Sequence, residues 1–207
     1  MNPAETTTGR QTRTRISLVL LFALFLAPLL LAILLIYIFP DWRPAGSSNH
    51  GQLVTPVRPL PPFQMENLAG EQMDETSLRG KWTIVYLQQG ACDKPCVEQL
   101  YSIRQVRLAQ GKNIDRLQRL LVWENGGVSR EDQAELQRHF PGQLIVPLTD
   151  QHALVQVFSL DEQKPMTARR VYLVDPLGNL MMHYEPGDEP KGMIKDLERL
   201  LKYSGLG

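Results

Sequence analysis

The longest apolar run in the chain lies near its N-terminus, at residues 16–39. Its 24 positions carry no charged side chain and read ISLVLLFALFLAPLLLAILLIYIF. A helix rises about 1.5 Å per residue, so the run is long enough to cross a hydrocarbon core of about 30 Å. Tyr37 and Trp42 suit the aromatic belt of a membrane interface, and Pro28 is tolerated in a spanning helix. The pattern predicts a transmembrane anchor at 16–39.

A cleaved signal peptide is the competing interpretation of this run. The apolar core of a signal peptide usually has about 7–15 residues and is followed by small residues at a cleavage site. Here the run is longer and ends in FPDW, which favours an uncleaved anchor. Arg10, Arg13 and Arg15 precede the run. The positive-inside bias therefore predicts a cytoplasmic tail at 1–15 and places the rest of the chain on the far side of the membrane.

Proline dominates the stretch that follows the anchor, residues 40–62. The prolines are Pro40, Pro44, Pro56, Pro59, Pro61 and Pro62. Because proline donates no backbone hydrogen bond and fixes its own φ, this density predicts an extended, semi-rigid linker. The folded domain is then expected to span residues 63–207.

Within that domain, short apolar segments alternate with amphipathic ones. Residues 82–87 (WTIVYL) are β-branched or aromatic almost throughout, which is typical of a buried central strand. A helix is predicted at 95–110, where Val97, Leu100, Ile103 and Val106 form its inward stripe. The remaining predictions are strands at 63–67, 117–123, 144–147, 169–174 and 180–184, and helices at 129–140, 151–158 and 192–203. This order predicts an α/β domain, a mixed sheet flanked by helices.

The two cysteines of the chain, Cys92 and Cys96, lie where the predicted central strand passes into a helix. Free N–H groups at a helix N-terminus stabilise a thiolate, and the thiolate is the nucleophile and the metal ligand. Pro95 suits the first turn of that helix. The spacing lets the sulfurs meet, so Cys92 and Cys96 are predicted to be a reversible, catalytic pair. After replacement of Cys92, Cys96 is expected to form mixed disulfides by itself.

A purely structural disulfide is the competing interpretation of the cysteines. A loop this short gains little in the chain-entropy account, because that contribution grows with loop length. A tetrahedral zinc site would need four ligands at typical spacings. The histidines show no such cluster in the sequence; they are His50, His139, His152 and His183.

Charge is balanced over the whole chain, with 22 basic and 22 acidic residues. From Asn49 onward 18 basic residues face 20 acidic ones, so the domain is mildly acidic. A nucleic-acid-binding domain would need a basic surface. The expected partners are therefore the membrane and a protein, with no nucleic acid.

Three segments in this order resemble the SCO/SenC family: LRGKWTIVY at 78–86, the C-x-x-x-C pair, and VYLVDPLG at 171–178. The resemblance covers about residues 55–203. The C-x-x-x-C spacing is its most specific feature, because the other two segments occur more widely among thioredoxin-like proteins. It implies a thioredoxin-like fold, anchored in a bacterial inner membrane with the domain in the periplasm. It also implies a role in cytochrome c oxidase assembly, by copper delivery or by reduction of the copper-site cysteines.

The chain departs from this family at one position of the copper site. The family's third ligand is a histidine eight residues before the hairpin aspartate, and counting back from Asp175 gives Thr167. Arg169 stands where many C-x-x-C proteins of this fold carry proline. Cys92 and Cys96 thus remain candidate Cu(I) ligands with an unknown third ligand.

Other side chains near the empty position are alternative donors for Cu(I), since thioethers suit this soft ion. They are Met166, Met181, Met182 and His183. The simpler interpretation is that the methionines of the hairpin pack in the core and that His183 faces solvent.

Three functions follow from these observations. The first is a thiol–disulfide oxidoreductase acting on a cytochrome c oxidase subunit or another periplasmic thiol protein. The second is a Cu(I) metallochaperone with an atypical third ligand, and the third is a non-catalytic assembly scaffold of the same fold. The missing histidine disfavours the second and the retained cysteines disfavour the third, so the first ranks highest. A peroxidase is disfavoured because Gly90-Ala91-Cys92 lacks the hydroxyl of a Thr/Ser-x-x-Cys pocket.

Overall fold

The computed structural model describes residues 7–38, 49–124, 130–148 and 152–205 and divides the chain into two compact units, Met1–Ser47 and Ser48–Gly207. The first unit contains helix α1 (Thr7–Ile38). Its stretch Arg15–Ile38 has a mean hydropathy of 3.2 and is long and apolar enough to cross a membrane. Phe39, the predicted last residue of the anchor, lies outside the described residues.

The second unit contains eight described strands and four described α-helices. The strands are β1 (Gln52–Pro59), β2 (Gln64–Glu66), β3 (Gln72–Asp74), β4 (Trp82–Gln89), β5 (Leu117–Glu124), β6 (Gln143–Pro147), β7 (Val171–Val174) and β8 (Asn179–Tyr184). The helices are α2 (Lys94–Ala109), α3 (Arg130–His139), α4 (His152–Val157) and α5 (Pro190–Tyr203), with 3-10 turns at Glu75–Leu78 and Gly111–Arg116.

Six strands form one mixed sheet in the order β1-β8-β7-β4-β5-β6, and β2 pairs with β3 in a separate hairpin. β4, β5 and β6 are parallel, whereas β7 is antiparallel to β4 and β8 to β7. β4 is buried along almost its whole length because both of its faces are covered. The predicted fold class, a thioredoxin-like mixed sheet flanked by helices, is confirmed.

The two faces of the sheet support two separate cores. On the face that we call the cysteine face, Ile84 and Tyr86 of β4 pack with Cys96, together with Leu136 of α3 and Leu197 of α5. On the opposite face, the intervening residues of β4 join a core that contains Phe63, Val85, Leu87, Phe158, Met166 and Tyr172. This division follows from the alternation of side chains along each strand.

Strand β1 corrects the predicted linker, which is wrong from Gln52 onward. β1 pairs with β8 at the edge of the sheet, and its register shifts between Leu53 and Arg58. An edge strand with an irregular register tolerates proline, because the missing N–H groups are not all needed for pairing. Pro56 and Pro59 therefore lie in a strand that the proline density had concealed.

A buried carboxylate attaches the start of the domain to the last helix. Asp196 of α5 accepts hydrogen bonds from the backbone N–H groups of His50, at 2.9 Å, and Gly51, also at 2.9 Å. Its other oxygen lies 3.1 Å from His50 Nδ1. A Cβ atom at Gly192 would lie 2.7 Å from that of His50, so the close approach requires glycine. The domain is therefore held together from residue 50 rather than from residue 63.

Helix α2 begins one residue earlier than predicted, and its inward stripe differs from the prediction. Leu100, Ile103 and Val106 are buried, but Val97 is 41% exposed. Cys96 takes the inward position one turn before Leu100, so the next residue along the helix is turned away from the core. The predicted starts of α3 at 129 and of α4 at 151 lie outside the described residues.

Candidate functional site

The predicted cysteine pair lies at the junction of β4 and α2, and the structure joins the two sulfurs in a disulfide. The Cα atoms of Cys92 and Cys96 are 5.2 Å apart. Cys96 is fully buried in the core of the cysteine face, whereas Cys92 is only partly buried at the edge of that core. The two sulfurs therefore differ in their access to a partner.

The loop that carries Cys92 is held by side chains of β4 and β5. Trp123 Nε1 donates a hydrogen bond to the carbonyl of Gly90 at 2.7 Å, and the N–H of Gly90 donates to the carbonyl of Glu124 at 2.8 Å. Gln88 Nε2 donates to the carbonyl of Ala91 at 3.0 Å. These bonds satisfy the carbonyls of Gly90 and Ala91 and the N–H of Gly90, and they hold Cys92 beside the end of β5.

Asp93 caps the N-terminus of α2 and also contacts the segment before β7. Its Oδ1 accepts the N–H of Cys96 at 3.1 Å, which satisfies one of the free donors of the first turn. Its Oδ2 accepts a hydrogen bond from Arg169 Nη2 at 2.7 Å. The Arg169 guanidinium is the main reason that the pKa of Asp93 lies below its ordinary value, and the N–H of Cys96 adds to it. A negative charge is thus fixed next to the disulfide and neutralised by one arginine.

Arg169 has an unusual backbone as well as this ion pair. Its φ is +53°, and it is the one non-glycine residue with a positive φ among the described residues. The left-handed conformation costs a non-glycine residue roughly 1–2 kcal/mol, so it persists where surrounding contacts over-determine it. The count back from Asp175 had singled out Arg169 as standing in the place of proline, but nothing in the sequence paired it with Asp93.

The structure does not bring a third ligand of the predicted kind to the cysteines. Thr167 is exposed, and its hydroxyl donates a hydrogen bond to the carbonyl of Lys164 at 3.2 Å. Met166 is buried in the core of the opposite face. Within the described ranges, no three His, Cys, Asp or Glu side chains form a group suited to a metal ion. The residues present therefore do not fit a Cys-Cys-His copper site.

The methionines of β8 lie on the cysteine face but belong to its packing. Met182 is buried in the same core as Cys96, and its sulfur lies 3.1 Å from the hydroxyl of Tyr184. Met181 lies at the register shift of β8 between Leu180 and Met182, and for this reason it is partly buried against the same core as its neighbour. The simpler interpretation of the hairpin methionines, packing in the core, agrees with these contacts.

His183 lies on the opposite face, which corrects the expectation that it faces solvent. It is 8% exposed and is the register partner of Tyr172, a core residue of that face. Its Nε2 lies 3.2 Å from Glu185 Oε1, and Arg170 Nε donates to the same oxygen at 2.8 Å. Arg170 also pairs with Asp161. Burial lowers the pKa of His183 below its ordinary value, despite the opposing effect of Glu185.

An open groove of about 830 Å³ begins at Cys92 and lies between α2 and α3. We call it the α2–α3 groove. Its lining residues are Ala91, Cys92, Val97, Glu98, Tyr101, Arg104, Trp123, Asp132, Glu135, Leu136, His139 and Phe140. Sequence reasoning missed it because it assigned Val97 to the core. The groove makes Cys92 the sulfur that an approaching molecule meets.

A disulfide at the junction of a central strand and a helix, on a sheet of this topology, defines a thioredoxin-like protein with a disulfide-bonded cysteine pair. Residues 82–204 match the family model described as transmembrane-like, thioredoxin-like, C-terminal domain, and the chain belongs to that family. No curated protein sequence matches the chain.

Solved structures of Sco proteins have the same fold as this chain. Bradyrhizobium japonicum ScoI with copper bound is 21% identical, with a TM-score of 0.54 over 67% of this chain and 97% of that chain. Yeast Sco1 with copper bound is 20% identical, with a TM-score of 0.56 over 70% and 90% of the two chains. BsSco, a member of the Sco family of cytochrome c oxidase assembly proteins with a disulfide switch, is 13% identical, with a TM-score of 0.56 over 72% and 96%. At these identities the likeness shows an Sco-like thioredoxin fold.

Proposed function

We propose that the chain is a membrane-anchored thiol–disulfide oxidoreductase that supports cytochrome c oxidase assembly. Its substrate would be a cysteine pair of an oxidase subunit or of another periplasmic thiol protein. The observation that carries the proposal is the Cys92–Cys96 disulfide, with one sulfur buried and the other at the edge of an open groove. A short-loop disulfide that only stabilised the fold would not require this difference in access.

The unequal burial assigns a role to each sulfur. In the reduced protein, the Cys92 thiolate attacks a disulfide of the substrate, and one substrate sulfur leaves as a thiolate. The Cys96 thiolate then attacks Cys92, forms the Cys92–Cys96 disulfide and releases the second substrate thiolate. The substrate disulfide is reduced and the protein's dithiol is oxidised, with two electrons transferred. Because Cys96 is buried, we no longer expect it to form mixed disulfides with proteins when Cys92 is replaced.

The proposed role in cytochrome c oxidase assembly rests on the similarity of this chain to Sco proteins. The Sco-like fold, the C-x-x-x-C spacing and the family's transmembrane description support it. The second candidate function, Cu(I) transport, is favoured by the copper that ScoI and yeast Sco1 carry. The two thiolates of the reduced protein are suitable donors for Cu(I), but the missing third ligand makes weak binding the expectation.

We further propose that α1 is an uncleaved anchor in a bacterial inner membrane, with residues 1–15 in the cytoplasm and the domain in the periplasm. The apolar stretch Arg15–Ile38 and the preceding arginines support this topology. Reporter fusions at Gly207 test it. A reporter that works only in the cytoplasm should stay silent there, and its activity would reverse the assignment.

Thiol trapping on the full chain tests the redox proposal. After mild reduction, a mass-tagged alkylating reagent should add one tag to the folded protein, at Cys92, and a second tag, at buried Cys96, after denaturation; the oxidised protein should take up none. If Cys92 also reacts only after denaturation, the disulfide is structural, and the non-catalytic assembly scaffold becomes the favoured function. A Cu(I) competition titration on the same reduced sample measures the copper affinity on which the metallochaperone alternative depends.

A further inference from the structure

The α2–α3 groove has a direction, because the two helices that form it run the same way. β4, β5 and β6 are parallel neighbours in the sheet, and α2 and α3 are the connections between them. Both helices therefore begin at the carboxyl ends of the strands, where Cys92 lies, and run toward the other end of the sheet. The groove thus has a sulfur end and a far end.

The walls and floor of the groove are mainly apolar. Trp123, Leu136 and Phe140 are buried beneath it, while Val97 and Tyr101 line it and are 41% and 56% exposed. Val97 and Tyr101 are four residues apart and thus lie one above the other on the surface of α2. An accessible apolar strip that leads directly to a reactive sulfur suits the side chains of a bound polypeptide segment.

Charge along the groove is unevenly distributed. Glu98, in the second turn of α2, and Asp132, in the first turn of α3, lie toward the sulfur end. Arg104 lies toward the far end, about 9 Å further along α2 by the rise of a helix. His139 of α3 also lies toward that end, but it is 3.6 Å from Glu135 and that pair offsets its own charge, so Arg104 supplies the positive charge of the far end. Glu98 is 3.8 Å from Lys94, but that ion pair is exposed and neutralises the carboxylate only weakly. The sulfur end therefore favours a cation and the far end an anion.

We propose that the α2–α3 groove binds an extended, apolar segment of the protein that exchanges disulfides with Cys92. The segment has a basic residue directly beside its cysteine and an acidic residue about three residues after the cysteine. This spacing follows because an extended chain advances about 3.3 Å per residue and the far end of the groove lies about 9 Å from the sulfur end. The inference rests on the proposed redox function and adds the sequence character of the substrate. It makes Glu98 and Tyr101 residues that determine specificity, with no part in bond breaking.

A thiol peptide that carries this pattern can be tested as a reductant of the oxidised protein. The peptide thiolate attacks the sulfur of Cys92, and Cys96 leaves as a thiolate. A second peptide thiolate then attacks the peptide sulfur of the mixed disulfide and releases Cys92. Two peptide thiols become one peptide disulfide, and the protein disulfide becomes a dithiol.

The experiment uses the oxidised full chain in lipid nanodiscs and two capped hexapeptides, KCVLEV and ECVLKV, which have the same composition with the two charges exchanged. The measured quantity is the second-order rate constant of Cys92–Cys96 reduction. Each rate is divided by that of the same peptide with hydroxyethyl disulfide, which corrects for the effect of the neighbouring charge on the peptide thiol. Reduction by 2-mercaptoethanol, which has no peptide segment to occupy the groove, measures the reactivity of the Cys92–Cys96 disulfide alone.

We expect KCVLEV to react about fivefold faster than ECVLKV after this correction, with the ratio falling toward one as salt rises. The variant Glu98→Lys with Asp132→Lys, which replaces both acidic residues of the sulfur end, should reverse the preference. The matched control, Glu131→Lys with Glu198→Lys, makes the same change in net charge on exposed positions outside the groove and should preserve it. Tyr101→Ala should slow both peptides about fivefold, whereas Tyr203→Ala, at another exposed tyrosine, should slow neither.

The outcomes separate this inference from the function on which it rests. If 2-mercaptoethanol cannot reduce the pair in the folded protein, the redox function itself fails. If it reduces the pair but the corrected peptide rates are equal, or Tyr203→Ala acts as strongly as Tyr101→Ala, the groove is not the binding site. A dimer of the chain that Tyr101→Ala dissociates would also overturn the inference, because the occupant would then be a second copy.

Discussion

The two faces of one sheet carry different chemistry, although their residues alternate along the same strands. On the cysteine face a disulfide lies at the edge of an apolar core and opens into a groove. On the opposite face His183, Arg170 and Glu185 form an ion-pair cluster over the core that contains Met166 and Tyr172. The candidate Cu(I) donors are thus separated by the thickness of the sheet, with Cys96 on one face and Met166 and His183 on the other.

This comparison shows why a missing ligand is not easily replaced within this fold. Residues adjacent in a strand point to opposite faces, so His183 cannot share a site with Cys96 while β8 keeps its register. Met182, its neighbour, does face the cysteine side but fills the core. Reactivity is therefore expected on one face alone, and stability should be the main contribution of the ionic cluster on the other.

The largest expected effect is the loss of disulfide exchange when Cys92, the more accessible of the two sulfurs, is replaced. Cys92→Ser should reduce exchange with a disulfide substrate to the rate without protein, because buried Cys96 cannot be reached. Cys96→Ser should instead accumulate mixed disulfides through Cys92. Non-reducing gels of the full chain with a peptide disulfide measure both. Equal trapping by the two variants would remove the distinction between the sulfurs.

Next comes the ionic cluster on the opposite face. Arg170→Met should lower the free energy of unfolding of the domain by about 2 kcal/mol, because the carboxylates of Asp161 and Glu185 lose a buried partner. Their partial exposure keeps the effect below that of a fully buried pair. Denaturant unfolding followed by tryptophan fluorescence gives the value. The rate of Cys92–Cys96 reduction by 2-mercaptoethanol should not change, and a parallel loss of it would contradict the separation of the faces.

Copper binding sharpens the comparison further. Thr167→His should raise the Cu(I) affinity of the reduced protein by about tenfold or more, equal to about 1.4 kcal/mol, because it adds an imidazole to two thiolates. His183→Ala and Met166→Ala should leave the affinity unchanged, since both residues lie on the opposite face. A competition titration with a chelator of known affinity measures all three. Loss of binding in His183→Ala would identify a site that joins the two faces.

A smaller effect is expected from the ion pair beside the disulfide. Arg169→Ala leaves the charge of Asp93 without its partner next to the first turn of α2. The negative charge should then disfavour the thiolate of Cys92 and slow its alkylation about two- to fivefold at neutral pH. The pH profile of alkylation distinguishes this effect from a change in fold, and Arg169→Lys should restore most of the rate.

The smallest effect concerns pH. The pKa of His183 is lowered by burial, so below its ordinary value of 6.5 the unfolded chain binds the proton more readily than the folded one. Its contribution to stability is complete above that value and is lost as the pH falls toward the folded-state pKa. Unfolding midpoints between pH 7 and pH 5 should fall less steeply in His183→Gln than in the natural chain. An identical slope would show that His183 is not the group that titrates.

Local patterns in the sequence determined much of this protein. The apolar run marked α1, the β-branched segment marked β4, and the position of Cys92 and Cys96 after that strand predicted their meeting. Each of these features depends on residues close together in the chain, where period and spacing decide the outcome. The resemblance to the SCO/SenC family, counted back from Asp175, likewise marked Thr167 and Arg169.

Only the tertiary structure decided which of these residues act together. The sequence pattern did not indicate β1, because its prolines are compatible with a strand only at an irregular sheet edge. Such an edge exists only once the sheet has formed. The outward position of Val97 depended on Cys96 taking the inward one. The Asp93–Arg169 pair joins positions 76 residues apart, which no local pattern connects. The groove, and with it the difference between the two sulfurs, arises from the packing of α2 and α3 on one face of the sheet.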